Sequence, residues 1–495
     1  MRAMRSTTLV LGLTLWLAAA WPARAESPAA APCRLRGVEH EALCGSVKRP
    51  LDPARPQGPQ IDVHFAVLPA VARNKKPDPV FFFAGGPGQS AIEIAPQVAS
   101  MLGRFSNRRD IVLIDQRGVG KSAPLACEAD DPALPLAEQF DLGRQRVRLL
   151  QCIDKLKALP YGDLRFFTTT IAMADADAVR AALGADSVNV IGGSYGTRAA
   201  LEYQRQFSAR VRRAVIDGVA PPDMVLPASF SPDNQAALEA LFAACAKDRG
   251  CAAREPQLAA QWRALLASLP RHVTLAHPLS GRSESLDLTR DVVLGMVRGP
   301  LYVPALAAAL PAAIGDAARG RFEPLAGLAL SFSGSRRAPQ LAAGMHFAVV
   351  CAEDFPRLTQ STDLPGADFG TSFAELYREI CPRLPRGEVP AAFYSVAPAP
   401  AATLLLSGGI DPATPPRHGE RVARALGAKA RHLVVANAGH GVMAIGCMRD
   451  VLYRFVDAAT DEEALKVDAS CVAAIPRPPM FALPEAGATP AGGAK

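Results

Sequence analysis

Gly192-Gly193-Ser194-Tyr195-Gly196 matches the pattern G-x-S-x-G. Glycines two before and two after a serine let a chain turn sharply from strand to helix and push the hydroxyl outward. Such a serine attacks carbonyl carbon, but at neutral pH its hydroxyl needs a base. Among the eight histidines, His440 stands in Asn437-Ala438-Gly439-His440-Gly441, just past an apolar run. His64 falls inside an early strand pattern, His346 in a helical region and His418 near a helix start. A histidine base needs an acid to hold its tautomer and stabilise the imidazolium. Asp411, in Gly408-Gly409-Ile410-Asp411-Pro412, follows the apolar run TLLL. A developing oxyanion needs backbone N–H donors. The amide of Tyr195 is one, and Gly86, in the loop Ala84-Gly85-Gly86-Pro87-Gly88, is the choice for the second.

Phosphate chemistry is the rival for these glycine loops. No matching lysine follows residues 84–88. Gly118-Val119-Gly120-Lys121-Ser122 has the end of a P-loop, but Asp115 stands where its first glycine belongs.

The elements that must position these residues alternate. Strand patterns lie at 61–70, 80–88, 110–118, 187–196 and 212–222. Helix patterns lie between them, as in MADADAVRAALG and TRAALEYQRQF. This rhythm predicts an α/β fold, a mostly parallel sheet covered by helices. Residues 223–395 are mainly helical and punctuated by proline, an expected inserted cap. The strand rhythm returns at 402–411 and 431–441. The expected division is therefore 1–25, a signal peptide; 26–222, the first part of the core; 223–395, the cap; 396–475, the second part of the core; and 476–495, a disordered Pro/Ala/Gly-rich tail.

Residues 1–25 read as an export signal. Arg2 and Arg5 precede the apolar TLVLGLTLWLAAA, and Ala23-Arg24-Ala25 is a cleavage pattern. An uncleaved anchor is the alternative, but the apolar run is short for a spanning helix, which needs about 20 residues. The chain is therefore expected outside the cytoplasm, periplasmic or extracellular, without stable membrane insertion. The ten cysteines fit that compartment, being even in number. In order they fall into near neighbours: Cys33 and Cys44, Cys127 and Cys152, Cys245 and Cys251, Cys351 and Cys381, Cys447 and Cys471. Sequential pairing closes the shortest loops, and other connectivities stay open. Zinc-like Cys/His spacing is missing, so no metal or other cofactor is expected. The 49% hydrophobic and 20% charged residues are those of a folded chain. The formal net charge of +7 comes without a basic run among aromatics, so nucleic acid is not an expected partner. Oligomeric state is not legible.

Taken together, AGGPGQS (84–90), DQRGVGKS (115–122), GGSYG (192–196), DGVAPP (217–222), GGIDPATP (408–415) and NAGHG (437–441) resemble the exported bacterial serine peptidases of the proline iminopeptidase and tripeptidyl aminopeptidase family. The motifs span nearly the whole mature chain, and the last core segment is similar to the TAP-like C-terminal region. The resemblance implies an α/β-hydrolase fold, a helical cap over the site, and an Ser194–Asp411–His440 triad in the family's chain order. It also implies short peptide substrates cut near a free N-terminus. One departure stands out: proline iminopeptidases commonly carry histidine where this chain has Ala84, which weighs against strict proline iminopeptidase activity. An aminopeptidase must also hold an ammonium, which carboxylates in the cap would do. Glu353 and Asp354, beside Cys351, are the expected anchor. Two other functions compete: a carboxylic-ester hydrolase with the same triad, and a binding protein that has kept the fold without catalysis.

Overall fold

The computed structural model describes residues 30–128, 131, 134–333 and 340–481. The expected signal peptide and the tail from 482 lie outside the described residues.

Apolar runs of four to nine residues build the sheet. In chain order the strands are β1 (Ala31–Cys33), β2 (Ala42–Pro50), β3 (Gln60–Leu68), β4 (Val80–Phe83), β5 (Ile111–Ile114), β6 (Val188–Gly193) and β7 (Val211–Asp217). A separate antiparallel hairpin, β8 (Arg271–Ala276) and β9 (Ser283–Leu288), precedes β10 (Thr403–Gly408) and β11 (Ala430–Val435). The main sheet runs β1-β2-β3-β5-β4-β6-β7-β10-β11. From β5 to β11 every pairing is parallel; β1, β2 and β3 add an antiparallel edge. Strands β4, β5 and β10 are buried throughout, as a strand covered on both faces must be.

Two strand regions were absent from the sequence expectation. Most of β2 is half-exposed, and β8 and β9 bury only Leu275, Leu286 and Leu288. Edges that pack on one side, or hardly at all, carry a weak apolar pattern.

The helices that frame the site are α1 (Thr169–Ala182), α2 (Tyr195–Gln206), α3 (Phe230–Lys247), α4 (Arg290–Leu301), α5 (Ala343–Glu353), α6 (Ser372–Ile380) and α7 (Pro416–Leu426). The insertion divides into two packing units. Leu238, Leu241, Trp262, Val293, Val297 and Leu310 belong to a hydrophobic cluster of their own, closed by Leu136 from the first half of the chain. Met345, Phe347, Val349, Val350 and Ile380 instead pack into the cluster of the sheet. The separately packed cap is therefore shorter than 223–395 and includes the hairpin. Part of the expected tail is also held: Phe481 N–H donates to the Ala308 carbonyl at 3.0 Å.

The ten cysteines form five disulfides, Cys33–Cys44, Cys127–Cys152, Cys245–Cys251, Cys351–Cys381 and Cys447–Cys471. Each closes a short stretch of chain, with sequence separations of 6 to 30. The 30-residue Cys351–Cys381 loop ties α5 to the end of α6, and closing a loop of that length contributes about 3–4 kcal/mol on the chain-entropy account. Alkylation of the folded protein is expected to add nothing to its mass before reduction and ten adducts after it. Any adduct before reduction contradicts this framework.

Candidate active site

The serine lies at the carboxyl end of β6. Ser194 sits at φ 55° and ψ −124°, with Tyr195 opening α2 directly after it. This left-handed turn is strained for a residue with a side chain and is held by packing around it. The flanking glycines explain how. A Cβ on Gly192 would lie 2.1 Å from the Gly196 carbonyl oxygen, and one on Gly196 would lie 2.0 Å from that of Phe83. Strand, turn and helix thus approach closer than any side chain permits. The Ser194 N–H donates to the Asp217 carbonyl at 2.8 Å, pinning the turn to β7.

His440 follows β11. Its Nδ1 lies 2.8 Å from Asp411 Oδ2. Asp411 follows β10, and its Oδ1 accepts the N–H groups of Ala413 at 2.8 Å and Thr414 at 2.9 Å. The Thr414 hydroxyl donates to Oδ2 at 2.8 Å. Burial acts to raise the Asp411 pKa, but the His440 charge and these donors overcome it and hold the carboxyl below its ordinary value. For His440, burial pulls the other way from Asp411, and the carboxylate prevails: the imidazole is held above its ordinary 6.5. The His440 backbone N–H donates to the Tyr302 carbonyl at 3.0 Å, and the Tyr302 ring meets the imidazole edge-on at 5.2 Å between centroids. The cap therefore touches the histidine directly.

Ser194 and His440 line one cavity of about 950 Å³ between sheet and cap. Gly86 and Tyr195 line it too, with Gly86 at φ 109°. The first-turn N–H groups of a helix have no intrahelical acceptor, and Tyr195 is the first residue of α2.

Glu353 and Asp354 are not on that wall, which corrects their expected place as an ammonium anchor. Both are fully buried beneath it, around Arg198 of α2, itself 1% exposed. Arg198 donates to Asp354 Oδ2 at 2.8 Å and Oδ1 at 3.0 Å, and to Glu353 Oε2 at 3.3 Å. Glu353 also accepts from Thr169 N–H at 2.6 Å and Thr169 Oγ1 at 3.0 Å. Burial pushes the Glu353 carboxyl up to about 7, against the pull of Arg198. Both carboxyl groups are paired with a buried guanidinium and do not face the cavity.

Asp217 has a role that sequence reading missed. At the end of β7, its Oδ2 accepts the N–H groups of Val442 at 2.7 Å and Met443 at 2.9 Å. Its backbone holds the serine turn while its side chain holds the loop after His440. Burial lifts its pKa to about 6. The signal in the sequence was a strand-terminal aspartate within the DGVAPP motif. Two other histidines are engaged by other side chains. His346 Nε2 meets the Tyr377 hydroxyl at 2.7 Å, and burial pushes it down to about 4. His418 meets Asp233 at 2.9 Å. No group of side chains able to hold a metal ion occurs among the described residues. No described helix is long and apolar enough to cross a membrane.

This topology, with a serine on a strained turn and an aspartate-bound histidine on a later loop, defines an α/β hydrolase. Comparison with known proteins agrees. Residues 78–289 match the α/β hydrolase fold family, and residues 366–471 match TAP-like proteins. The chain has the α/β-hydrolase fold, and its C-terminal region is similar to TAP-like proteins. It is 28% identical over 438 residues to the serine protease Hip1 of Mycobacterium tuberculosis, covering 80% of this chain and 82% of that one. Over 192 residues it is 32% identical to a tripeptidyl aminopeptidase of Streptomyces coelicolor, covering 36% of this chain and 35% of the relative. Over 141 residues it is 30% identical to a proline iminopeptidase of Neisseria meningitidis, covering 28% and 32%. The chain is a serine hydrolase, similar to peptidases.

The Arg198 cluster generates a prediction. Removing one member of a buried ion pair costs about 3–5 kcal/mol, because the partner charge stays buried. Asp354→Ala and Arg198→Met are each expected to lower the unfolding free energy by that order, read from denaturant titration. An Asp354→Ala protein with unchanged stability and a raised KM only for substrates with a free amine would restore the anchor role.

Proposed function

We propose that this chain is an exported serine peptidase that cuts short peptides near a free N-terminus through an acyl-enzyme. The supporting observation is the Asp411–His440 pair at 2.8 Å on the wall shared with Ser194. Ser194 is the nucleophile, His440 its base, and Asp411 the acid that fixes the imidazole with Nε2 free for proton transfer. Attack by Ser194 Oγ on the peptide carbonyl forms a tetrahedral oxyanion, which the N–H groups of Tyr195 and Gly86 receive. His440 then gives the proton to the leaving amine, and the downstream peptide departs. Water, deprotonated by His440, attacks the acyl-serine and releases the upstream fragment. No metal or other cofactor enters this scheme.

The roofed cavity of about 950 Å³ favours short substrates, being at the upper end of the range for small-molecule sites. The preference for a free N-terminus draws on the names of the relatives. One observation favours the second reading, a carboxylic-ester hydrolase. Phe230, Phe332 and Phe373 line the cavity, and among its described lining Asp217 is the sole carboxylate.

Matched peptide anilides, free and N-acetylated, separate the readings. Acetylation is expected to lower kcat/KM at least about tenfold, the loss of roughly one charge-assisted hydrogen bond. Equal rates overturn the N-terminal preference, and cleavage of short-chain esters alone overturns the peptidase reading. The pH profile follows from His440. Only the neutral imidazole accepts the serine proton, so kcat/KM falls as pH drops through the His440 pKa, a midpoint above the ordinary 6.5. Asp411→Asn is expected to move that midpoint down and to cut kcat by on the order of 10⁴.

A further inference from the structure

Two arginines line the cavity, and their surroundings differ. Arg198 is ion-paired with both Asp354 and Glu353, with only its Nε left without an acceptor. Arg298, near the end of α4, has no carboxylate partner among the described residues. Its guanidinium lies 5.0 Å from the ring centroids of Phe230 and Phe373, and 5.8 Å from that of Tyr302. Its one side-chain hydrogen bond among the described residues is from Nη2 to the Tyr302 hydroxyl, at 3.3 Å. Its Nε is buried without an acceptor.

Aromatic faces attract a cation but accept none of its N–H hydrogens in the plane of the fork. A half-buried guanidinium so placed keeps donors that a planar anion satisfies in pairs. Leaving such donors unpaired is costly. The position also matters. Arg298 stands one helical turn before Tyr302, whose carbonyl takes the His440 backbone N–H. Arg298, Ser194 and His440 line the same cavity, so an anion on Arg298 shares the space of the reacting bond.

We propose that Arg298 is the recognition site for a carboxylate carried by the substrate. This rests on the reading of the cavity as the substrate site and adds a charge preference to it. The aromatic side chains of Phe230, Phe373 and Tyr302 hold the guanidinium in place, and the carboxylate takes the forked N–H pair. Two sources share this chemistry, the C-terminal carboxylate of a short peptide and an acidic side chain within it.

Three substrate pairs test the proposal. Tetraalanine against its C-terminal amide reads the terminal carboxylate. Ala-Ala-Glu anilide against Ala-Ala-Gln anilide reads the side chain. The p-nitrophenyl hemisuccinate and p-nitrophenyl butyrate esters carry the comparison even where no peptide is cut, so a failed peptidase reading stays distinct from a failed charge preference. The wild-type protein is expected to favour the anionic member of at least one pair by roughly ten- to a hundredfold in kcat/KM, chiefly through KM. Arg298→Met is expected to bring that ratio near one, and Arg298→Lys to keep part of it, which a packing role alone does not predict. A wild-type ratio near one in all three pairs overturns the proposal. So does a preference that survives in folded Arg298→Met.

Discussion

The active-site geometry depends on one buried residue, Asp217. Its carbonyl accepts the N–H of Ser194, and its carboxylate accepts the N–H groups of Val442 and Met443. Serine turn and histidine loop are 246 residues apart in sequence, yet both are fastened to the same strand end. A buried carboxylate is costly, and two main-chain donors offset part of that cost. Burial still outweighs them and lifts its pKa to about 6. The sheet brings the three parts together: β6 carries the serine, β7 carries Asp217, and β10 and β11 carry Asp411 and His440. Parallel strands deliver all four to one edge, where the loops of such sheets meet.

The insertion joins this arrangement at two levels. From above, Tyr302 touches His440 and Arg298 faces the cavity. From below, Asp354 and Glu353 clamp Arg198 on the helix that follows Ser194. The Cys351–Cys381 bridge holds α5, which ends in Glu353 just before Asp354. The segment that looked like part of the cap is thus a brace for α2, packed into the sheet's own core. That explains why its acidic pair is structural. A carboxylate pair around one guanidinium fixes a helix, and leaves recognition to groups that still have unsatisfied donors.

Legibility in the sequence followed the range of the physics. The serine turn was readable because its glycines, strand and helix are contiguous. Asp411 and His440 were readable because each follows a buried apolar run. The seven strands read from periodicity are all present, within a few residues. What failed needed distant partners. Glu353 and Asp354 looked like free acids because Arg198 is some 155 residues away. Asp217 lay in a motif but showed no role until its acceptor atoms met another loop. Arg298 sat in a helical pattern, DVVLGMVRG, and only the fold surrounds it with aromatic rings. The hairpin β8–β9 escaped because so little of it is buried.

The central claim is that Ser194 is the nucleophile and that His440 activates it. A fluorophosphonate reacts covalently with an activated serine and hardly at all with an ordinary one. Peptide mapping by mass spectrometry after labelling reads the site directly. A single adduct on Ser194, abolished in His440→Ala while that variant remains folded, is the result this account predicts. An adduct on another serine, or labelling of Ser194 that persists unchanged without His440, would contradict it.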